Sequence, residues 1–188
     1  MSAVIKVLAA SVTTFAATNL DDIFLLTLFF ARRVSSRRIV AGQYLGFAAI
    51  VGISFALVWG VSLAIPRVWM RLLGVLPLVM GLKELIHAPQ FKSGDVRQPD
   101  RSFSVLSIAT ITLANGADNV GVYVPFFVAS RSHLRLILIT YTLLVLVWCG
   151  IGKWFGGHAL ILKSLARWGH WIVPFVLIGL GGYILLFI

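Results

Sequence analysis

The sequence predicts an all-α polytopic membrane protein of six transmembrane helices, arranged as two inverted three-helix repeats. Three observations carry this reading. Of the 188 residues 60% are hydrophobic and only 12% charged, and the mean hydropathy is +0.98, far too apolar for an ordinary soluble domain of this length. The 16 Lys and Arg residues lie almost entirely between apolar runs, where orientation charges belong. The two halves also match at one constant spacing. Asp118 follows Asp21 by 118 − 21 = 97 residues, and the same shift pairs Asp22 with Asn119, Phe29-Phe30 with Phe126-Phe127, Tyr44 with Tyr141, Gly60 with Gly157 and Pro77 with Pro174.

The first predicted span covers about Val4–Ala31. It continues past the small residues Ala16-Ala17 to Phe30, so it reads as a retained span and not a cleaved signal. A basic turn, Arg32-Arg33-Val34-Ser35-Ser36-Arg37-Arg38, ends it. Ile39–Ile65 carries no charge and exceeds the roughly 20 residues that a helix needs to cross the hydrocarbon. The third span, Val68–Ile86, is short between Arg71 and Lys83, and the match of Pro77 with Pro174 is what argues that it crosses. A polar linker over 87–102 contains Pro89, Gly94 and Pro99. Spans four to six are Phe103–Ser130, about Leu134–Phe155 and Trp168–Ile188. The chain is thus a single membrane domain, with repeat one over about 4–86 and repeat two over about 103–188. Three spans per repeat turn the second copy upside down, a recurring build for secondary transporters. Eleven cations lie in the loops after spans one, three and five, and five on the other side, which places both termini outside the cytoplasm.

Two polar interruptions break these apolar runs. Thr18-Asn19-Leu20-Asp21-Asp22-Ile23 carries two adjacent carboxylates in a stretch otherwise uncharged from Val7 to Ala31, and Asn115-Gly116-Ala117-Asp118-Asn119-Val120 is its counterpart in the second half. An aspartate at the bilayer centre costs roughly 2.5–3.5 kcal/mol on insertion scales, so such residues have partners or ions. On continuous helices Asn19 and Asp22 share a face, as do Asn115, Asp118 and Asn119. Two such helices at the molecular centre would form an oxygen cage for a cation from Asn19, Asp21, Asp22, Asn115, Asp118 and Asn119. Pro125 leaves the Gly121 carbonyl without its helical partner, and Gly116 and Gly121 loosen the same helix. Carboxylate, amide and carbonyl oxygens suit a divalent cation, but ligand type alone does not select among metals. Because a cation and protons compete for the same carboxylates, proton-coupled transport is a further expectation.

Plainer readings account for other features. A lone Asp or Asn in a span is commonly interhelical glue, a reading weakened here because the three aspartates fall in two stretches that recur between the halves. Gly42-x-x-x-Gly46 and Gly152-x-x-x-Gly156 read as close helix contacts. Cys149, the only cysteine, excludes an internal disulfide and multi-cysteine metal sites, and reads as a packing residue. The four histidines fall at span ends. No basic, aromatic-interleaved surface segment supports nucleic-acid binding.

The stretch Thr-Asn-Leu-Asp-Asp-Ile-Phe-Leu-Leu-Thr-Leu-Phe-Phe-Ala at 18–31 and Ala-Asn-Gly-Ala-Asp-Asn-Val-Gly-Val-Tyr-Val-Pro at 114–125 resemble the signature stretches of the bacterial cadmium-resistance transporter family, within the lysine-exporter superfamily. Chain size and span count fit along the whole length. The resemblance implies a multi-pass exporter of the bacterial plasma (inner) membrane that lowers cytoplasmic Cd²⁺, and places the same six residues on the family's motif positions. No enzyme activity and no cofactor are expected. The expected partners are the lipid bilayer and the transported divalent ion, with a homo-oligomer left open. Two alternatives remain: export of an amino acid, as elsewhere in the superfamily, and an intramembrane aspartyl enzyme, whose Gly-x-Gly-Asp pattern is here Gly116-Ala117-Asp118.

Overall fold

Long apolar runs cannot leave backbone polar groups unpaired in lipid, and helix is the conformation that satisfies them within one segment. The computed structural model describes residues 3–64, 71–86, 103–156 and 174–186, and among these there is no strand. The linker 87–102 and the start of the sixth predicted span lie outside the described residues. In chain order the helices are α1 (Ala3–Thr18), α2 (Asp22–Ala31), α3 (Ser36–Ala64), α4 (Val75–Ile86), α5 (Val105–Asn115), α6 (Val120–Ala129) and α7 (Leu134–Phe155), then α8 (Pro174–Leu186). Short 3₁₀ turns over Arg71–Gly74 and Arg131–His133 lead into α4 and α7.

α3 and the run Arg131–Phe155 are long and apolar enough to cross a membrane, and α1 with α2 forms a third candidate bent by 62°. The first and fourth predicted spans are therefore not single helices. Each is divided at its polar interruption, α1 from α2 and α5 from α6. The division of the fourth falls at Gly116, not at Pro125, which lies inside α6.

The basic turn after α2 is tight. Arg33 N–H bonds to Phe30 O at 3.0 Å and Val34 N–H to Phe29 O at 3.3 Å, while Arg33 adopts the left-handed conformation with φ 59°. This is the Schellman pattern, and Val34 packs against the cluster that contains Phe29. α3 consequently starts beside the end of α2 and runs back along the molecule.

Glycines set the closest helix approaches. A Cβ on Gly42 would lie 2.6 Å from Ile108 Cβ, and one on Gly46 2.6 Å from Ala109 O, so α3 runs parallel to α5. A Cβ on Gly152 would lie 2.5 Å from Leu26 Cβ, and one on Gly156 3.1 Å from Phe30 Cβ, so α7 runs parallel to α2. Each long helix thus lies alongside the divided helix of the other half. Gly74 abuts Gly181 and Ile184, whereas Gly81 abuts Pro174 and Ile178, so α4 and α8 pack antiparallel.

Two apolar clusters frame the centre. Phe15, Phe47, Tyr123, Phe127 and Tyr141 anchor one, with ring centroids such as Phe15–Tyr141 at 5.3 Å and Tyr123–Tyr141 at 5.2 Å. Leu26, Phe29, Ile39, Phe103, Ile108 and Cys149 form the other, which makes Cys149 a packing residue, as read from the sequence. On the outside of α7, Ile139, Leu143 and Leu146 are exposed along one face. In a bilayer that face meets lipid.

Candidate cation site at the helix divisions

Local side-chain bonding ends α1. The Thr18 hydroxyl donates to Thr14 O at 3.0 Å and the Asn19 amide to Phe15 O at 2.8 Å, so both side chains engage carbonyls of the last helical turn. Asp21 then caps α2, its Oδ1 accepting from Asp22 N–H at 3.1 Å. In the second half Gly116 caps α5 and Asn119 precedes α6, without a side-chain capping bond. The interruptions at 19–21 and 116–119 occupy matching places in the two halves.

They meet in space. Asn115 Nδ2 donates to Asp21 Oδ2 at 2.9 Å and to Asp22 Oδ1 at 2.8 Å. Asn119 Nδ2 lies 3.4 Å from Asn19 Oδ1. Asn19, Asp22 and Asn119 are buried, whereas Asp21 and Asp118 are exposed and Asn115 is half-buried. The result is a buried floor with an open side. Asp118 sits on that side, and no hydrogen bond joins its side chain to the network among the described residues. Nor, among those residues, do three or more His, Cys, Asp or Glu side chains converge in a metal-binding group. Hydrogen bonds join two carboxylates with several amides, because the α5 end sends Asn115 across to Asp21 and Asp22. Gly121 abuts Met80 of α4, where a Cβ would lie 3.0 Å from the sulfur.

Among the described residues four more join the network, none of them singled out by the sequence pattern. Gln43 of α3 donates from Nε2 to Asp22 Oδ2 at 2.8 Å, and its Oε1 accepts from the Thr112 hydroxyl at 2.8 Å. Tyr123 OH accepts from Asn19 Nδ2 at 2.7 Å and lies 2.9 Å from the Thr18 hydroxyl. Trp148 Nε1–H donates to Asn19 O at 2.8 Å, meeting a carbonyl that the α1 end leaves without a helical partner. An amide in an uncharged span, as at Gln43, is the one available sequence signal. Buried polar groups in lipid need partners, but the sequence does not say which.

The chemistry follows from the donors. One amide nitrogen bridges oxygens of two neighbouring carboxylates, the position that a bridging cation would occupy. A half-turn of the Asn115 amide replaces its N–H donor by an oxygen acceptor of the same shape. Carboxylate and amide oxygens of this kind fit a divalent cation.

A family model described as cadmium resistance transporter matches residues 15–187, nearly the whole chain. Comparison with curated proteins and with solved structures gave no match.

Proposed function

This chain belongs to the cadmium resistance transporter family, and from that premise we propose that it exports divalent heavy-metal cations, Cd²⁺ foremost, through an oxygen-ligand site where the two helix divisions meet. The observation that carries the reading is the Asn115 amide nitrogen held between Asp21 Oδ2 and Asp22 Oδ1. A dication in that place gains two negative ligands, and turning the amide adds a third oxygen. Asn19, Asn119 and Asp118 supply the rest of the proposed ligand set, Asp118 from the open side. Amino-acid export finds less support, because among the described residues no Lys or Arg is a hydrogen-bond partner of this site that could receive a substrate carboxylate.

Metal-resolved flux into inverted membrane vesicles tests the proposal. Cd²⁺ should accumulate in vesicles carrying the protein, and excess lysine should not slow it. Accumulation of lysine without Cd²⁺ would make the chain an amino-acid exporter.

Proton coupling is part of the same proposal. Carboxylates must be deprotonated to ligate a metal, so protons compete for Asp21, Asp22 and Asp118. Apparent Cd²⁺ affinity should fall as pH drops, and an acidic vesicle lumen should accelerate uptake, since protons then leave as the metal enters. Affinity and uptake that are both indifferent to pH would exclude proton exchange.

The proposed setting is the bacterial plasma membrane, with six crossings in two inverted repeats and both termini outside the cytoplasm. The eleven-to-five distribution of cations supports this orientation. Alkaline phosphatase fused after Ile188 should be active. An inactive phosphatase beside a fluorescent cytoplasmic reporter at the same place would reverse the topology.

A further inference from the structure

Asp22 is buried, and both of its carboxylate oxygens are engaged by amide N–H groups from different helices. Asn115 takes Oδ1 and Gln43 takes Oδ2, each at 2.8 Å. The two amides are not equivalent. Asn115 is half-buried beside the open side of the site, and among the described residues its Nδ2 has only carboxylate acceptors. Gln43 is 4% exposed and held at its other end by Thr112, itself 1% exposed. An arriving cation can displace or turn the Asn115 amide. Dislodging Gln43 breaks its bond to Thr112 as well, inside an apolar interface where the freed groups find no water.

We propose that Gln43 is a specificity-determining residue: it keeps Asp22 Oδ2 occupied, so that Asp22 meets the transported ion through Oδ1 alone. This rests on the function proposed above. Cd²⁺ and Ca²⁺ are nearly equal in size and charge, so a cavity radius separates them poorly. Coordination does separate them. Ca²⁺ takes 6–8 oxygen ligands and commonly binds a carboxylate through both oxygens, whereas d¹⁰ dications, as Zn²⁺ shows, are content with fewer ligands. Withholding one oxygen of the best-buried carboxylate lowers the site's capacity for Ca²⁺ more than for Cd²⁺. Thr112 acts through Gln43 and is a positioning residue for it.

The test is equilibrium binding of radioactive Cd²⁺ to the purified full-length protein, displaced by Ca²⁺. Gln43→Leu should make Ca²⁺ a better competitor relative to Cd²⁺ by about tenfold, the scale of one hydrogen bond to a charged group. Thr112→Val keeps the shape, removes the anchoring hydroxyl, and should shift the ratio in the same direction by less. It decides the matter alone if Gln43→Leu is not recovered folded. A purely structural Gln43 would weaken both ions together, and an unchanged ratio in the folded variants overturns the proposal. Wild-type protein that binds no divalent cation would instead overturn the underlying transport reading, a failure seen before any variant is made.

Discussion

Asp22→Asn is expected to abolish Cd²⁺ export and to weaken Cd²⁺ binding by about a hundredfold or more. Removing one partner of a buried ion pair costs roughly 3–5 kcal/mol, and each 1.4 kcal/mol is about a factor of ten. Asp22 is 3% exposed, so water cannot replace the lost charge. The neutral amide also conflicts with its surroundings. In the metal-free protein Asn115 and Gln43 both present N–H donors to this side chain, and one of them would face the new NH₂ group. Shape is preserved, so the protein should still be made and inserted. Asp21→Asn and Asp118→Asn should lower transport as well, Asp21 because its Oδ2 shares the Asn115 amide. Transport assays on vesicles matched for protein content check all three. Normal transport by any two of the variants would rule out a common site.

Gly46→Val is expected to lower both stability and transport, whereas Gly52→Ala, on the same helix, should leave transport unchanged. A Cβ at Gly46 would lie 2.6 Å from Ala109 O and 2.7 Å from Thr112 Cβ. Backbone on α5 must move to admit it, and overpacking of this kind costs about 1–3 kcal/mol. The displacement acts at Thr112, so it also draws Gln43 away from its anchor and disturbs Asp22. A Cβ at Gly52 meets nothing within 4 Å, and replacing a helical glycine by alanine there should stabilise by roughly 0.5–1 kcal/mol. Thermal melting of the purified protein, together with growth on Cd²⁺, separates the two outcomes. Equal melting temperatures for Gly46→Val and wild type would show that α3 and α5 do not approach as described.

Several features were legible before any coordinates. Apolar runs punctuated by cations required membrane helices, because no other local conformation satisfies the backbone in lipid. Gly42, Gly46, Gly152 and Gly156 announced close contacts, since small residues at four-residue spacing form one smooth face of a helix. The two polar interruptions marked where a buried hydrogen-bond network would form, because carboxylates and amides in such runs are too costly to leave unpartnered. All three inferences depend on a residue and its near neighbours, which is the range over which composition and periodicity carry information.

The tertiary structure decided what those interruptions do. Helical periodicity treats residues 4–31 as one rod, yet Thr18 and Asn19 bond to carbonyls of the last α1 turn and Asp21 caps a new helix. Whether a polar group bonds locally or across an interface depends on what stands opposite it. Thr112 meets Gln43 from 69 residues away, and Trp148 meets the Asn19 carbonyl from 129 residues away. The same contest made Asn115, and not Asp118, the hydrogen-bond partner of Asp21 and Asp22. Pairing of buried polar groups is a property of the packed whole: in a medium without water each donor must find an acceptor, and only the arrangement of helices says which one is within reach.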